Sequence, residues 1–239
     1  MKIAVTGYSG HIGKQLLLSN QSGFEFITLG RSNADIYWKL GILPDPAHLA
    51  DVDLIVHLAW ATTNRKMNFH TNVGGTIQLA NLAKDLGCPF LFISSVGVSS
   101  ESLYGKSKYL AEKGVIEARG KVVRLGLMPN TNRYLDSKKH FFAMFPQFKN
   151  LIPVSEFNSF YKFFIEWANE SIAFGNVGAD VVTLVDSNQE FASLINSKFQ
   201  IPIPEKIFGF GLKTFRKLSY RIDDVYDGFK TITTRKNIN

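Results

Sequence analysis

Apolar and polar residues alternate in blocks along the first half of the chain. Five short runs are almost continuously apolar and rich in β-branched and aromatic residues, which is typical of strands buried on both faces of a parallel sheet. These runs are KIAVTG, FEFITLG, DLIVHLAW, PFLFISS and KVVRLGL. A further short strand is predicted within DIYWKLG, after the second run.

Longer amphipathic stretches separate these runs. HIGKQLLLSN and the segment from Tyr104 to about Ala118 are predicted helices, and NVGGTIQLANLAKDLG predicts a helix with Gly87 as its C-cap. PDPAHLAD predicts a helical turn opened by proline. The alternation of strand and helix predicts an α/β fold with a Rossmann-type, doubly wound parallel sheet and right-handed crossovers.

The alternation weakens beyond about residue 130. HFFAMFPQF and FNSFYKFFIEWANES are aromatic-rich and predict helix in part, whereas ADVVTLVD predicts a further sheet strand near 180–185. SNQEFASLINSKF predicts a helix capped by Ser187, and IPIPEKIFGFGLKTFRKL predicts an extended piece followed by a basic amphipathic helix. We therefore expect a first domain over residues 1–130 and a small C-terminal lobe over residues 131–239, partly interleaved through the strand near 180–185.

Composition narrows the class of protein. Of the 239 residues, 45% are hydrophobic and 20% are charged, as in ordinary soluble proteins. No apolar run is long enough to span a bilayer, and the N-terminus lacks the pattern of a signal peptide. The single cysteine, Cys88, excludes an intramolecular disulfide and is predicted to be a buried structural thiol. Together these features predict a cytoplasmic protein.

The net charge of +7 indicates attraction for anions. The basic residues are scattered and accompany no nucleic-acid-binding module, so we expect small phosphorylated ligands, with neither nucleic acid nor membrane as a partner. The alternative is binding of nucleic acid or anionic lipid through KTFRKLSYR. The histidines, cysteine and carboxylates show no metal-ligand spacing, and His57, within an apolar strand, is predicted to be a satisfied core residue.

A glycine-rich loop joins the first strand to the first helix. VTGYSGHIG places Gly7, Gly10 and Gly13 at the spacing G-x-x-G-x-x-G. Glycine permits a tight turn and a close approach of the backbone to a pyrophosphate, which then lies at a helix N-terminus. A plain turn is the alternative, but the position at the first strand–helix junction favours a dinucleotide site.

The end of the second strand bears on the choice of dinucleotide. Folds that bind NAD usually carry an acidic residue there, which binds the adenosine ribose hydroxyls. Here the strand ends in TLGRS, with Arg31 near that position. A guanidinium suits the 2′-phosphate of NADP, so Arg31 favours NADP unless it is an ordinary surface arginine. Asp35 is close enough to bind the ribose hydroxyls instead, so NAD is the alternative cofactor.

Six motifs give the chain a resemblance to the extended short-chain dehydrogenase/reductase family, which comprises NAD-dependent sugar-nucleotide epimerases and dehydratases. TGYSGHIG, DLIVHLAW, NVGGT, FISS, YGKSK and VVRLG occur in the family's order over roughly residues 1–130. The resemblance implies an NAD(P)-binding Rossmann domain, a substrate-binding C-terminal lobe and a homodimer formed through the helices that hold NVGGT and YGKSK.

The resemblance also assigns residues to the cofactor. The glycine loop would line the pyrophosphate, the segment after the fourth strand would pass beside the adenosine ribose and the nicotinamide end, and a residue of NVGGT would lie on a helix behind the active site. The implied residues are Gly7, Ser9, Gly10, His11, Ile12, Gly13, Leu58, Ala59, Trp60 and Asn72.

Three residues match the family's catalytic set. Tyr104 and Lys108 match its Tyr-x-x-x-Lys pair, and positions four apart share one face of a helix. A nearby ammonium favours tyrosinate, which makes Tyr104 the implied acid/base, and Lys108 would also hold the nicotinamide ribose. Ser95, at the end of a strand, would hydrogen-bond the substrate oxygen. The alternatives are a solvated helix face and an ordinary strand-end hydroxyl.

The chain departs from the family's pattern beside Ser95. Tyr104 follows after only nine residues, whereas most members insert a longer loop with a Val-Tyr-Gly element. Val96 and Gly97 stand where dehydratases carry Asp-Glu, so the acid and base for water elimination are absent. We therefore predict an NAD(P)-dependent sugar-nucleotide epimerase or ketoreductase, with NADP favoured over NAD and a nucleotide sugar as substrate. The alternative is a regulatory protein that binds NADP(H) without turnover.

Overall fold

The computed structural model describes residues 1–20, 23–62, 65–100, 102–128, 151–175 and 179–190. In chain order, the strands in these ranges are β1 (Lys2–Thr6), β2 (Glu25–Gly30), β3 (Ile36–Tyr37), β4 (Leu54–His57), β5 (Phe90–Ser95), β6 (Lys121–Leu125), β7 (Leu151–Val154), β8 (Val181–Leu184) and β9 (Ser187–Glu190). The helices are α1 (His11–Leu18), α2 (Arg65–Asp85), α3 (Leu103–Glu117) and α4 (Phe157–Phe174), with short 3-10 helices at Pro46–Leu49 and Val96–Ser99.

Seven strands form a parallel sheet in the order β3-β2-β1-β4-β5-β6-β8. This is the predicted doubly wound, Rossmann-type α/β sheet. The strand order reverses between β1 and β4, and in open parallel sheets ligands bind in the crevice outside the carboxyl ends of the strands at such a reversal. The fold therefore directs attention to the residues that follow β1, β4 and β5.

Helices cover both faces of the central strands β1, β4 and β5, whose successive residues point to opposite sides of the sheet. Ile3 and Val5 pack in one cluster with residues of α1 and α4, whereas Ala4 packs in the other cluster with residues of α2 and α3. The same division runs through β4 and β5. This double burial explains why the strands are almost continuously apolar rather than alternating.

The ends of α2 test the predicted helix boundaries. Gly87 has a φ of +67° and its N–H donates to the carbonyl of Lys84, as the predicted C-cap requires. The helix begins at Arg65, earlier than the predicted start at Asn72. The added segment RKMNFHT contains neither glycine nor proline, so nothing in it stops the helix.

The C-terminal part returns to the sheet through β8, which pairs with β6 as the predicted strand near 180–185. The predicted helix beginning at Ser187 is wrong over Ser187–Glu190, which is β9 and pairs antiparallel with β7. Asp186, just before it, instead serves α4: its carboxylate accepts from Glu156 N and Ser159 Oγ at that helix's start. A distant strand and a distant helix thus override the local helical pattern.

Two predicted segments, HFFAMFPQF and IPIPEKIFGFGLKTFRKL, lie outside the described residues. Among the helices of the described residues, none is long and apolar enough to cross a membrane.

Candidate active site

The glycine loop after β1 is shaped by close backbone contacts. Gly7 has a φ of +70°, and a Cβ there would lie 2.6 Å from the backbone nitrogen of Ala59, which follows β4. A Cβ at Gly13 would lie 2.5 Å from the Cα of Tyr8. Gly10 N–H donates to the Gly7 carbonyl at 2.9 Å, which closes the turn. Side chains are therefore excluded at Gly7 and Gly13 by sterics and, at Gly7, also by backbone conformation.

The loop delivers the chain into α1 without a side-chain cap. Gly10 is the N-cap residue, and no side chain there satisfies the N–H groups of the first turn. Ser9 and Gly10 are exposed, whereas Ile12 packs on the sheet and His11 hydrogen-bonds Gln15. Exposed glycine backbone beside a helix N-terminus is a suitable place for a pyrophosphate.

Arg31 and Asp35, the two candidates for recognising the adenosine ribose at the end of β2, differ in their exposure and hydrogen bonding. Arg31 is exposed directly after the strand. Asp35 accepts hydrogen bonds from Thr28 N at 2.8 Å and Thr28 Oγ1 at 2.7 Å. These bonds hold the pKa of Asp35 below its usual value and bind its Oδ2 to β2. Tyr8 packs its ring on Gly30 and donates its hydroxyl to the carbonyl of Ser32, which shapes the same corner.

A buried histidine network ties β1, β4 and α2 together. His57 is fully buried, with Nδ1 2.7 Å from Thr6 Oγ1 and Nε2 3.0 Å from Thr76 Oγ1. Burial lowers its pKa to about 3, helped by the nearby Lys108, so the ring is neutral near neutral pH. The core role predicted for His57 is confirmed. The sequence reasoning missed both threonine partners, which carry no local signal.

The segment after β4 is held from two sides. Leu58 and Ala59 pack on opposite faces of the sheet, and Ala59 N–H donates to Thr6 Oγ1. Asn72, buried on α2, forms two hydrogen bonds with the backbone of Ala61, at 2.9 and 3.0 Å. Asn72 therefore fixes the segment after β4 through its side-chain amide.

Ser95 and Tyr104 meet at Gly97. Ser95 ends β5, and its Oγ accepts from Gly97 N–H at 3.1 Å. A Cβ at Gly97 would lie 3.3 Å from Ser95 Oγ and 3.6 Å from the Tyr104 ring, so both side chains border this glycine. The predicted serine and tyrosine thus lie close together despite belonging to a strand and a helix.

The short connection between them is a compact, serine-rich turn. The 3-10 helix Val96–Ser99 leads to Ser102, which caps α3 by accepting from Gly105 N–H at 3.0 Å. A Cβ at Gly105 would lie 2.5 Å from the carbonyl oxygen of Gly97, so the turn packs directly on the helix. This packing accommodates the unusually short spacing between Ser95 and Tyr104.

Lys108 is buried rather than placed on a solvated helix face. Only 4% of the residue is exposed. Its Nζ donates to the Ile93 carbonyl at 2.8 Å and lies 3.8 Å from the Trp60 ring centroid and 4.5 Å from that of Phe92. Burial lowers the pKa of Lys108 to about 7, although Glu112 works in the opposite direction.

Glu112 belongs to a buried ion pair that the sequence reasoning missed. It lies one turn beyond Lys108 on α3 and is almost fully buried. Arg124, on β6, donates to both of its carboxylate oxygens, with the shortest contact at 2.6 Å. The spacing between Lys108 and Glu112 was a readable signal, whereas the partnership with Arg124 depends on the fold.

The arrangement is suited to proton transfer at a polarised oxygen. Ser95 and Tyr104 lie together at Gly97, and the buried Lys108 shares the Trp60 ring with Tyr104. The carboxyl ends of parallel strands, where Ser95 lies, are where ligands bind in such sheets. In the part of the chain that the structure describes, no group of histidine, cysteine and acidic side chains could hold a metal ion.

Comparison with models of protein families matches residues 3–121 to the NAD dependent epimerase/dehydratase family. A search of curated protein sequences gives no significant match.

Comparison with solved structures finds enzymes of similar fold. The dTDP-4-dehydrorhamnose reductase of Yersinia enterocolitica matches with 19% identity and a TM-score of 0.63, covering 87% of this chain and 85% of its own. The reductase of the same name from Bacillus anthracis, in complex with NADP, matches with 14% identity and a TM-score of 0.63, covering 86% of this chain and 85% of its own. The UDP-glucuronic acid 4-epimerase of Bacillus cereus, in complex with NAD, matches with 17% identity and a TM-score of 0.63, covering 82% of this chain and 81% of its own. At these identities the likeness establishes the fold alone.

Proposed function

We propose that the chain, whose residues 3–121 match the NAD dependent epimerase/dehydratase family, is an NAD(P)-dependent sugar-nucleotide epimerase or ketoreductase. The observation that carries this proposal is that Ser95 and Tyr104 both border Gly97 near the carboxyl ends of the strands, while Lys108 is joined to Tyr104 through Trp60. Gly7 touches the segment after β4, and Trp60 of that segment touches Tyr104 and Lys108.

The residues at this edge fit a dinucleotide. Gly7 leaves no room for a Cβ, and the first turn of α1 presents uncapped N–H groups beside exposed glycine backbone. Arg31 is exposed at the end of β2, while the Oδ2 of Asp35 is bonded to Thr28. This contrast favours NADP over NAD, in keeping with a reductase. The bound nicotinamide would supply the hydride donor or acceptor.

The protein's own groups would handle the substrate oxygen. Tyr104 would deliver a proton to that oxygen during reduction, or remove it during oxidation, and Ser95 would hydrogen-bond the same oxygen. Lys108, while charged, would favour the tyrosinate form of Tyr104. Val96 and Gly97 offer no acid or base beside Ser95, which argues against water elimination.

The remaining parts of the proposal concern the rest of the chain. We propose that residues 1–130 are the cofactor domain and that the substrate pocket lies between the carboxyl ends of its strands and the lobe predicted over residues 131–239, which is partly interleaved with this domain through β8. We expect a homodimer through α2 and α3, in the cytoplasm.

The proposal is tested first by binding and then by turnover. NADPH and NADH are titrated calorimetrically into the wild-type protein, and oxidation of the bound reduced cofactor is followed with nucleoside diphosphate 4-keto-sugars. Tyr104→Phe should retain cofactor binding and lower turnover about 10²–10⁴-fold, because the proton donor is lost.

Either of two outcomes would count against the enzyme. If neither cofactor binds, the glycine loop is only a turn. If a cofactor binds but no keto-sugar is reduced and no nucleotide sugar is epimerised, a binding protein without turnover is the better description. Tyr109→Phe, at an exposed tyrosine of the same helix, serves as the control variant.

A further inference from the structure

Trp60 contacts both members of the Tyr104–Lys108 pair from outside their helix. The face of its indole lies 3.8 Å from Lys108 Nζ, measured to the ring centroid. Its ring meets the Tyr104 ring nearly at right angles, at 83° and 6.4 Å between centroids. Trp60 follows β4 and packs on the sheet, so its position is set by the fold rather than by α3.

The ammonium of Lys108 is enclosed by a carbonyl and two aromatic faces. The Ile93 carbonyl accepts one N–H, and the rings of Trp60 and Phe92 cover two other directions. Phe92 in turn lies beside Trp60, with 5.9 Å between ring centroids. The negative faces of aromatic rings attract a cation, and most strongly where water is excluded. This enclosure therefore stabilises the charged form of a lysine that burial would otherwise neutralise.

Resting on the function proposed above, we propose that Trp60 is a positioning residue: its indole face holds the Lys108 ammonium charged and in place beside Tyr104. Ala, Leu or Val at this position would leave the ammonium facing apolar side chains. The proposal makes Trp60 part of the catalytic apparatus, although it acts through Lys108 and transfers no proton.

Other groups near Lys108 cannot replace this contact. His57 stacks on Phe92 at 5.7 Å and is neutral, because burial lowers its pKa to about 3. Glu112 raises the pKa of Lys108, but its two carboxylate oxygens are already bonded to Arg124. Tyr104 is uncharged in its acid form. Loss of the indole face should therefore shift the protonation of Lys108 measurably.

The test compares Trp60→Leu, which removes the aromatic face, with Trp60→Phe, which keeps a smaller one. Lysines are labelled with ¹³C at Cε, and the Lys108 signal is assigned by its disappearance in Lys108→Met. In the wild type we expect the Hε protons of Lys108 to be shifted upfield by the ring current of Trp60. We expect this shift to persist in part in Trp60→Phe and to vanish in Trp60→Leu.

The same signal reports the protonation of Lys108 as pH is varied. In Trp60→Leu its titration midpoint should fall by about one pH unit, since loss of a desolvated cation–π contact of typical strength corresponds to a shift of that order. In Trp60→Phe the midpoint should fall by less. Lys113, exposed on the same helix, is the internal reference for sample condition. An unchanged or raised midpoint in a folded Trp60→Leu would overturn the proposal.

Cofactor titrations on the same samples separate the two levels of inference. If the Lys108 signal responds as expected but NADPH and NADH do not bind the wild type, the proposed function fails and the Trp60–Lys108 contact stands. If cofactor binds and turnover occurs but the Lys108 signal ignores Trp60, only the present inference fails. With an active enzyme, Trp60→Leu should lower kcat and move the pH profile of kcat, and a purely structural loss would not move that profile.

Discussion

The two ends of the proposed cofactor crevice are built in opposite ways. At the glycine loop, the site consists of backbone and has no room for side chains. A Cβ added at Gly7 would lie only 2.6 Å from the backbone nitrogen of Ala59. At Tyr104, the site consists of side chains, including a lysine that is 4% exposed between two aromatic rings. The first end is sensitive to steric change, and the second to changes of charge and polarity.

This difference also decides what each end contributes to stability. The folded glycine loop carries little steric strain, because glycine adopts the positive φ of Gly7 without a clash and Gly13 has no Cβ to meet Tyr8. A buried ammonium is costly even when it is hydrogen-bonded, since its loss of hydration is only partly repaid. The buried end should therefore contain the stronger dependence of stability on pH.

The largest expected effect is on that dependence, in Lys108→Met. Burial lowers the pKa of Lys108 from 10.5 to about 7, so between these pH values the unfolded chain binds a proton that the folded chain lacks. The free energy of unfolding should rise with pH in this window, by about 1.4 kcal/mol per pH unit from this group. Below about pH 7 both states carry the proton, and the contribution is constant.

Denaturant unfolding of the cofactor-free protein at several pH values between 7 and 9.5 measures this rise. Lys108→Met should remove it, and the variant should be more stable than the wild type near pH 7. Lys106→Met removes an exposed lysine from the same helix and is the control. Parallel pH profiles for the wild type and Lys108→Met would mean that Lys108 reaches water.

The glycine end should respond to a single methyl group. Gly7→Ala combines an unfavourable positive φ with a contact of 2.6 Å to backbone, which together should cost roughly 2–4 kcal/mol of unfolding free energy. Binding of NADPH and NADH should fall below detection, because the loop must move. Chemical denaturation and calorimetry measure the two effects.

Gly23→Ala provides a matched control for this substitution. Gly23 has a φ of +67°, close to that of Gly7, but a Cβ there would have nothing within 4 Å. It should therefore incur only the backbone cost, about 1–2 kcal/mol, and leave cofactor binding intact. Equal losses at the two positions would show that the close approach to Ala59 is unimportant.

The same contrast explains how much could be predicted from the sequence. The steric requirements of the glycine loop leave a local mark, the spacing of Gly7, Gly10 and Gly13, and double burial leaves another in the apolar strands. Trp60 and Lys108 are far apart along the chain, so no local pattern announces their contact. The match to the family's Tyr-x-x-x-Lys motif predicts a catalytic role for Lys108, but it does not predict that the side chain is buried.

The errors in secondary structure have the same origin. Ser187–Glu190 carries a reasonable capping pattern for a helix, yet it forms β9 because β7 offers a partner for its backbone. Asp186, just before β9, likewise accepts hydrogen bonds from Glu156 N and Ser159 Oγ at the start of α4, about 30 residues earlier in the chain. Local propensity loses to distant hydrogen bonds in both cases.

The smallest expected effect is at the exposed edge of the glycine end, in Arg31→Ala. A solvent-exposed guanidinium paired with a 2′-phosphate should contribute on the order of tenfold in affinity. NADPH affinity should therefore fall about tenfold while NADH affinity is unchanged, as measured by calorimetric titration of each cofactor. Lys14→Ala, which removes an exposed positive charge from α1, controls for general electrostatic attraction.

Asp35→Asn completes this comparison at the ribose. The carboxylate of Asp35 accepts two hydrogen bonds from Thr28 through Oδ2, so its main role should be to hold the turn after β2. NADH affinity should therefore change little in Asp35→Asn. If NADH affinity instead falls sharply and Arg31→Ala leaves NADPH unaffected, then Asp35 recognises the ribose and NAD is the cofactor. In that case an epimerase, which retains its cofactor through both half-reactions, would replace the reductase as the favoured activity.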